Sequence, residues 1–105
     1  MKKLTRIILP ALALVMMAIA PAMAEDGSRL FLRKGCTSCH GVDAKSTVST
    51  GIPRLAGQHK DYLAAQLRDY KNKARKSSRA KEMIPFANSL DDTQIDAVAT
   101  YLSGL

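Results

Sequence analysis

Two cysteines and a histidine lie close enough along the chain to act as one chemical group. Cys36 and Cys39 are three positions apart, and His40 follows directly. Residues three apart on a helical turn lie on one face, so both thiols can add to the vinyl groups along one edge of a porphyrin. The next residue, His40, then meets the iron as proximal ligand. The Cys-x-x-Cys-His spacing therefore predicts a covalent c-type haem site.

Three other kinds of site use cysteines at this spacing. A thioredoxin-like dithiol requires a β-α-β pattern nearby, and no stretch of this sequence alternates like a strand. A structural zinc ion needs four ligands, but beyond these three residues only His59 and carboxylates remain after the first 24 residues. A disulfide across so short a gap would constrain little of the chain. Haem is the favoured interpretation, with these three as alternatives.

The start of the chain has the pattern of a secretory signal peptide. Three basic residues are followed by an apolar run over residues 7–20, and Ala22 and Ala24 form the small-x-small pattern that signal peptidase accepts. The run is shorter than the roughly 20 residues that span a bilayer. We expect cleavage of residues 1–24 and export of a soluble domain, residues 25–105, to the periplasm.

The exported domain is small and moderately basic. All nine acidic residues lie within it, whereas three of the sixteen basic residues lie in the signal. This charge bears on solubility and partner steering and is too weak to predict nucleic-acid binding. A domain of this size reaches only marginal stability from an apolar core alone, and the chain has two phenylalanines, three tyrosines and no tryptophan. A buried planar cofactor would complete the core.

Helical spacing and capping signals predict an all-α fold with three main helices. The first covers about Asp26–Lys34, and the second covers about Lys60–Lys71 with apolar residues three and four apart on one face. The third begins at Asp91, which forms a capping box with Gln94. An apolar stripe over residues 95–102 follows.

Two long segments between these helices are predicted to be irregular. Residues 41–57 are rich in Ser, Thr and Gly and contain Pro53, which disfavours helix at the residue before it. A loop this long in a compact domain is usually functional or folded around something. The second irregular segment covers residues 72–89.

These motifs together resemble the monohaem class I cytochrome c family. The resemblance covers essentially all of residues 25–105, and it implies that family's fold, with three helices and long loops around one covalent haem. Residues 53–58, which begin with proline and end with glutamine, are similar to the corresponding segment of the bacterial c-four and c-five type branch. The residues that carry the resemblance are Gly27-x-x-x-Phe31, Gly35-Cys36-x-x-Cys39-His40-Gly41, Pro53-x-Leu55-Ala56-Gly57-Gln58, Tyr62-Leu63, Gln66-Leu67 and a late methionine.

Membership of this family implies roles for the residues around the haem. Cys36 and Cys39 would form the two thioethers, and His40 would be the proximal ligand. The carbonyl of Pro53 would accept a hydrogen bond from the other nitrogen of His40, which would fix the tautomer of the ring.

The resemblance also implies a close contact between the first and last helices. Gly27 and Phe31 would pack against Val98 and Tyr101, and the glycine would let the two backbones approach. Ordinary core packing would use the same four residues.

Met83 is the expected sixth ligand of the iron. Every other methionine lies in the predicted signal peptide, and Met83 stands where the family has its axial methionine; simple packing is its alternative role. His59 is the competing ligand. Because His59 lies beside Lys60 and Asp61, we expect it to be a surface residue that does not bind iron.

Residues 71–81 contain six basic residues and no acidic one. They resemble a docking patch for acidic redox partners, and a solvated loop is the alternative. Relatives usually have a glycine followed by an arginine near residues 73–75, whereas this chain has Lys73-Ala74-Arg75, so the basic side chain that meets a haem propionate is left open. The basic residues are Lys71, Lys73, Arg75, Lys76, Arg79 and Lys81.

The function that the resemblance implies is electron transfer rather than catalysis. With His40 and Met83 on the iron, no axial position is left for oxygen or peroxide. We expect a monomer that exchanges electrons with periplasmic or membrane-bound redox proteins. A gas-binding haem protein that lacks the Met83 bond, and a subunit held permanently on a larger enzyme, are the alternatives.

Overall fold

The computed structural model describes residues 25–105, together with residues 2–5, 10, 11, 13 and 15. The predicted signal peptide, residues 1–24, lies mostly outside the described residues, so its cleavage stays a prediction. Within the described part there are helices, turns and bends but no strands, which confirms the all-α class. No helix among those residues has the length and apolar character needed to cross a membrane.

The described residues form five α-helices and one 3₁₀ helix. In chain order they are α1 (Gly27–Arg33), α2 (Thr37–His40), α3 (Lys60–Lys71), the 3₁₀ helix (Ser78–Met83), α4 (Ile84–Asn88) and α5 (Asp92–Ser103). The three longest α-helices are α1, α3 and α5, and they are the three that the sequence predicts. The bounds of α3 agree with the prediction at both ends.

Side-chain caps explain where α1 and α5 begin. Asp26 accepts hydrogen bonds from the backbone N–H groups of Ser28, at 2.7 Å, and Arg29, at 3.3 Å. Asp91 accepts from the N–H of Gln94 at 2.8 Å, and the Gln94 side chain accepts from the N–H of Asp91 at 3.0 Å. These bonds satisfy N–H groups that have no partner inside the helix, and the predicted capping box is confirmed.

The prediction of an irregular segment over residues 72–89 is wrong for residues 78–88. The 3₁₀ helix and α4 occupy most of it, and Pro85 lies in the first turn of α4, where its missing N–H costs no helical bond. Both helices are too short to display a repeating apolar face, which is the signal that predicts a helix from sequence.

The contact between α1 and α5 is close, as the sequence predicts. A Cβ atom added at Gly27 would lie 2.1 Å from the carbonyl oxygen of Ala97, so only glycine fits. The ring centroids of Phe31 and Tyr101 lie 6.0 Å apart, and Val98 is buried in the same core. The buried core residues are Leu30, Phe31, Ala44, Leu63, Ala64, Leu90, Ile95, Val98, Ala99 and Leu102.

The loop of residues 41–57 folds back onto this core. Ala44 is fully buried, and its carbonyl accepts hydrogen bonds from the N–H groups of Leu55, at 2.9 Å, and Ala56, at 3.2 Å. At the far end of the loop, the N–H of Gly57 donates to the carbonyl of Leu102 at 2.9 Å. The loop is therefore held at both ends, which fixes the position of Pro53 between them.

Candidate haem site

The two cysteines lie on the short turn of α2. Cys36 caps this helix and accepts a backbone hydrogen bond from the N–H of His40 at 3.0 Å. Both cysteines are free; Cys36 is half-buried and Cys39 is exposed. Burial raises the pKa of the Cys36 thiol, whereas reactive redox dithiols have a lowered pKa. This direction gives no sign of the activated thiolate on which redox dithiols depend.

His40 is buried and held by the loop. Only 5% of its surface is exposed, and its Nδ1 lies 2.9 Å from the carbonyl oxygen of Pro53. A carbonyl oxygen can only accept, so Nδ1 carries the hydrogen and Nε2 keeps its lone pair for a metal. Burial lowers the pKa of His40, outweighing the opposite effect of the bond to Pro53. The lowered pKa favours the neutral ring, which is the form that binds iron.

A cavity of about 260 Å³ brings the predicted site residues together. Cys36, Cys39, His40, Pro53 and Met83 all line it. His59 is exposed, stands just before α3 and is not among the lining residues. The site thus gathers every predicted haem residue and leaves out the competing histidine.

Apolar side chains from several elements form most of the cavity wall. They include Phe31, Ile52, Leu55, Leu63, Leu67, Phe86, Leu90, Val98 and Leu102. The apolar face of α3, read from its helical spacing, supplies Leu63, Leu67 and Tyr70. A covalently bound haem requires two thiols three residues apart, an imidazole for the iron and apolar walls around the porphyrin. The residues present fit the group.

The sequence did not reveal which polar side chains would line this cavity. Arg75 and Arg79 do so, and they come from a segment whose basic residues look alike in the sequence. Arg75 donates to the side-chain oxygen of Gln66 at 2.5 Å and lies over the ring of Tyr70 at 5.1 Å. No helical period of useful length runs through this segment, so nothing in the sequence separated these two arginines from the neighbouring lysines.

The alternatives for the cysteines receive no support from the described residues. Among residues 25–105 and the few described before them, no group of three or more His, Cys, Asp or Glu side chains could hold a metal ion. The same residues contain no strand, whereas a thioredoxin-like dithiol requires a β-α-β unit beside the cysteines.

Known proteins share both the sequence and the fold. The model of the family described as Cytochrome c matches residues 24–105. The chain belongs to the cytochrome c family. Cytochrome c4 of Azotobacter vinelandii is 32% identical over 84% of this chain and 46% of its own. A protein named thiosulfate dehydrogenase electron acceptor, from Stutzerimonas stutzeri (strain A1501), is 36% identical over 80% of this chain and 41% of its own.

A solved structure extends the likeness to three dimensions. The crystal structure of reduced recombinant cytochrome c4 from Pseudomonas stutzeri is 34% identical, with a TM-score of 0.66, over 82% of this chain and 50% of that one. This chain therefore spans half or less of the length of these three relatives. It is a class I cytochrome c of the c4 type whose cofactor is haem c, and the predicted family, fold and cofactor are confirmed.

Proposed function

We propose that this cytochrome c transfers single electrons and that His40 and Met83 are the axial ligands of its iron. One observation carries the proposal: the two cysteines, His40 and Met83 line the same cavity. Haem c, when bound, supplies an iron that takes up and gives up one electron. The protein is a carrier in this proposal and has no substrate of its own.

The contribution of the protein lies in what its residues hold fixed. Cys36 and Cys39 anchor the cofactor at the surface turn of α2, and Cys39 is exposed, so the anchored edge lies at the protein surface. Pro53 orients the ring of His40 through the bond to Nδ1. The apolar wall excludes water and so limits the change in solvation that accompanies a change of iron charge.

We propose Arg75 as the residue that faces the haem propionates. Both Arg75 and Arg79 line the cavity, but their charges are compensated differently. Arg79 lies 3.4 Å from the carboxylate of Glu82, whereas Arg75 donates to the neutral amide of Gln66. The guanidinium with the neutral partner is the better match for an acidic group.

The proposed setting is the periplasm, and the proposed partners are other redox proteins. The signal-like residues 1–24 support export, and the exposed Lys73, Lys76 and Lys81 form a basic surface that would attract acidic partners. One relative is named as an electron acceptor of thiosulfate dehydrogenase, which supports a dehydrogenase as one class of donor. We propose a monomer that moves between such partners.

The test is the visible spectrum of the protein purified from the periplasm, compared with the variants Met83→Ala and His59→Ala. Haem that resists acid-acetone extraction is expected in all three. The weak ferric band that marks a methionine-iron bond should be present in the wild type and His59→Ala, and lost in Met83→Ala. The exposed His59 serves as the matched control for the removal of a candidate ligand.

Other outcomes would favour the alternatives. A wild type without the methionine band, whose reduced form binds carbon monoxide avidly at neutral pH, would be a gas-binding protein. A wild type without the methionine band, whose spectrum changes in His59→Ala but not in Met83→Ala, would exchange the roles of the two residues. Co-elution with a large enzyme at high salt would replace the mobile carrier with a permanently bound subunit.

A further inference from the structure

The segment that carries Met83 has few packing contacts of its own. None of the residues of the 3₁₀ helix Ser78–Met83 is buried. Its first residue, Ser78, has a φ of 52°, in the left-handed region that is unfavourable for a serine. Such a segment is expected to open easily, so polar side-chain contacts are needed to hold it against the cavity.

Arg79 supplies these contacts across two chain segments. Its guanidinium donates to the hydroxyl of Ser49, in the loop of residues 41–57, at 3.1 Å. It also donates to both carboxylate oxygens of Glu82, each at 3.4 Å. Ser49, Arg79 and Glu82 thus form a polar chain that runs from this loop to the residue directly before Met83.

The loop passes close to the end of this side chain at Gly51. A Cβ atom added at Gly51 would lie 2.9 Å from a terminal nitrogen of Arg79, closer than real Cβ atoms come. The absence of a side chain at Gly51 therefore leaves room for the guanidinium. The same loop carries Pro53, the hydrogen-bond partner of His40. Through Arg79, the loop that orients one proposed ligand also holds the segment of the other.

We propose that Arg79 is a positioning residue that fastens the Met83 segment to the loop of residues 41–57. The inference rests on the proposed role of Met83 as axial ligand. The hydrogen bonds of the Arg79 side chain go to Ser49 and Glu82 rather than to either proposed ligand, so Arg79 acts by holding the 3₁₀ helix in place. Its loss leaves the core intact and lets the 3₁₀ helix open more often.

Two measurements on the haem-containing protein test this proposal with the variants Arg79→Gln and Ser49→Ala. The first is hydrogen exchange of residues 78–83, which should become about three- to tenfold faster in Ser49→Ala, since a single hydrogen bond is lost. In Arg79→Gln it should be at least as fast, since the contacts to Glu82 are lost as well. The second is imidazole binding to the ferric protein in competition with Met83, which should tighten by a similar factor. Because Arg79→Gln already removes the bond to Ser49, the double variant should differ little from Arg79→Gln.

Lys81→Gln is the matched control. Lys81 lies in the same 3₁₀ helix, is exposed, and makes none of the side-chain hydrogen bonds or ion pairs found among the described residues. Lys81→Gln removes one positive charge, as Arg79→Gln does, and should leave hydrogen exchange and imidazole binding near the wild-type values. Gly51→Ala pushes against the guanidinium without removing it and should lie between the wild type and Arg79→Gln.

The outcomes separate this proposal from the one on which it rests. Exchange of residues 78–83 that is equally fast in Ser49→Ala, Lys81→Gln and the wild type overturns the role of Arg79. Faster exchange in Ser49→Ala, in a protein whose wild type has no methionine-iron band, supports the fastening and overturns the ligand role of Met83. Faster exchange and tighter imidazole binding together support both.

Discussion

The two proposed iron ligands stand in very different surroundings. His40 is buried, its ring is bonded to Pro53, and the loop that provides this bond is itself anchored to α5 through Gly57 and Leu102. Met83 is half-buried at the end of a 3₁₀ helix without a buried residue. One ligand is therefore part of the core, and the other belongs to a surface segment held by side-chain contacts.

This difference separates the energetics of folding from those of ligation. Changes near α1, α5 and the loop should act on the free energy of unfolding of the whole domain, because those elements share one core. Changes in residues 78–83 should act mainly on the local segment and on the sixth ligand.

The largest effect is expected on the core side, from Gly27→Ala. The added Cβ would lie 2.1 Å from the carbonyl oxygen of Ala97 and 2.6 Å from the Cβ of Tyr101, so α1 and α5 must move apart. Overpacking of this kind costs up to about 3 kcal/mol, or more where backbone must shift. Denaturant unfolding followed by circular dichroism measures the loss.

Gly104→Ala is the control for this substitution. A Cβ at Gly104 would lie 3.6 Å from the nearest atom, an ordinary contact, at the end of the same α5. It should change the free energy of unfolding by less than about 0.5 kcal/mol. Equal losses in the two variants would mean that the contact of α1 with α5 does not govern the stability of the domain.

A gain in the stability of the domain is expected at the end of α3, from Lys73→Gly. Lys73 has a φ of 58° just after α3, and the next N–H, of Ala74, donates to the carbonyl of Asp69 at 2.8 Å. This is the left-handed position that closes a helix and that glycine normally fills. Glycine should relieve the strain of the lysine and stabilise the domain by about 0.5–1 kcal/mol.

The control for Lys73→Gly is Lys73→Ala, which removes the same charge but keeps the strained backbone. Only the glycine variant should gain in thermal denaturation. A similar gain in both would assign the effect to charge repulsion in the basic segment.

The sequence predicted the parts of the molecule that have strong local signals. Caps and apolar periods located α1, α3 and α5, and the Cys-x-x-Cys-His spacing located the turn of α2. The fit of Gly27 against α5 also came from the sequence, through the family resemblance. In each case, a few residues at fixed spacing determine the local structure.

The rest depended on contacts between segments far apart in the sequence. The 3₁₀ helix and α4 are short, and their formation rests on packing and on Pro85 rather than on a repeating pattern. The hydrogen bond from Arg79 to Ser49 joins residues 30 positions apart, and no local sequence pattern predicts it. The cavity-lining places of Arg75 and Arg79 were unpredictable for the same reason.

The smallest effect is expected in acid, at an exposed carboxylate on the core side. Asp43 accepts hydrogen bonds from the N–H groups of Lys45 and Ser46, at 2.9 and 2.8 Å, and from the Ser46 hydroxyl. These bonds lower the pKa of Asp43 from 3.8 to about 2. Because the folded state binds this proton less readily, the contribution is complete above pH 3.8 and is lost as the pH falls towards 2.

Asp43→Asn keeps an acceptor oxygen but removes the charge and the titration. The wild type should be more stable than this variant at neutral pH, and the difference in free energy of unfolding should vanish near pH 2. An unchanged difference across this range would mean that the loop does not depend on the ionised carboxylate. Asp43→Asn could instead remove the methionine-iron band and leave the free energy of unfolding unchanged. The division between core and surface segment would then fail, because a loop on the core side would control the surface ligand.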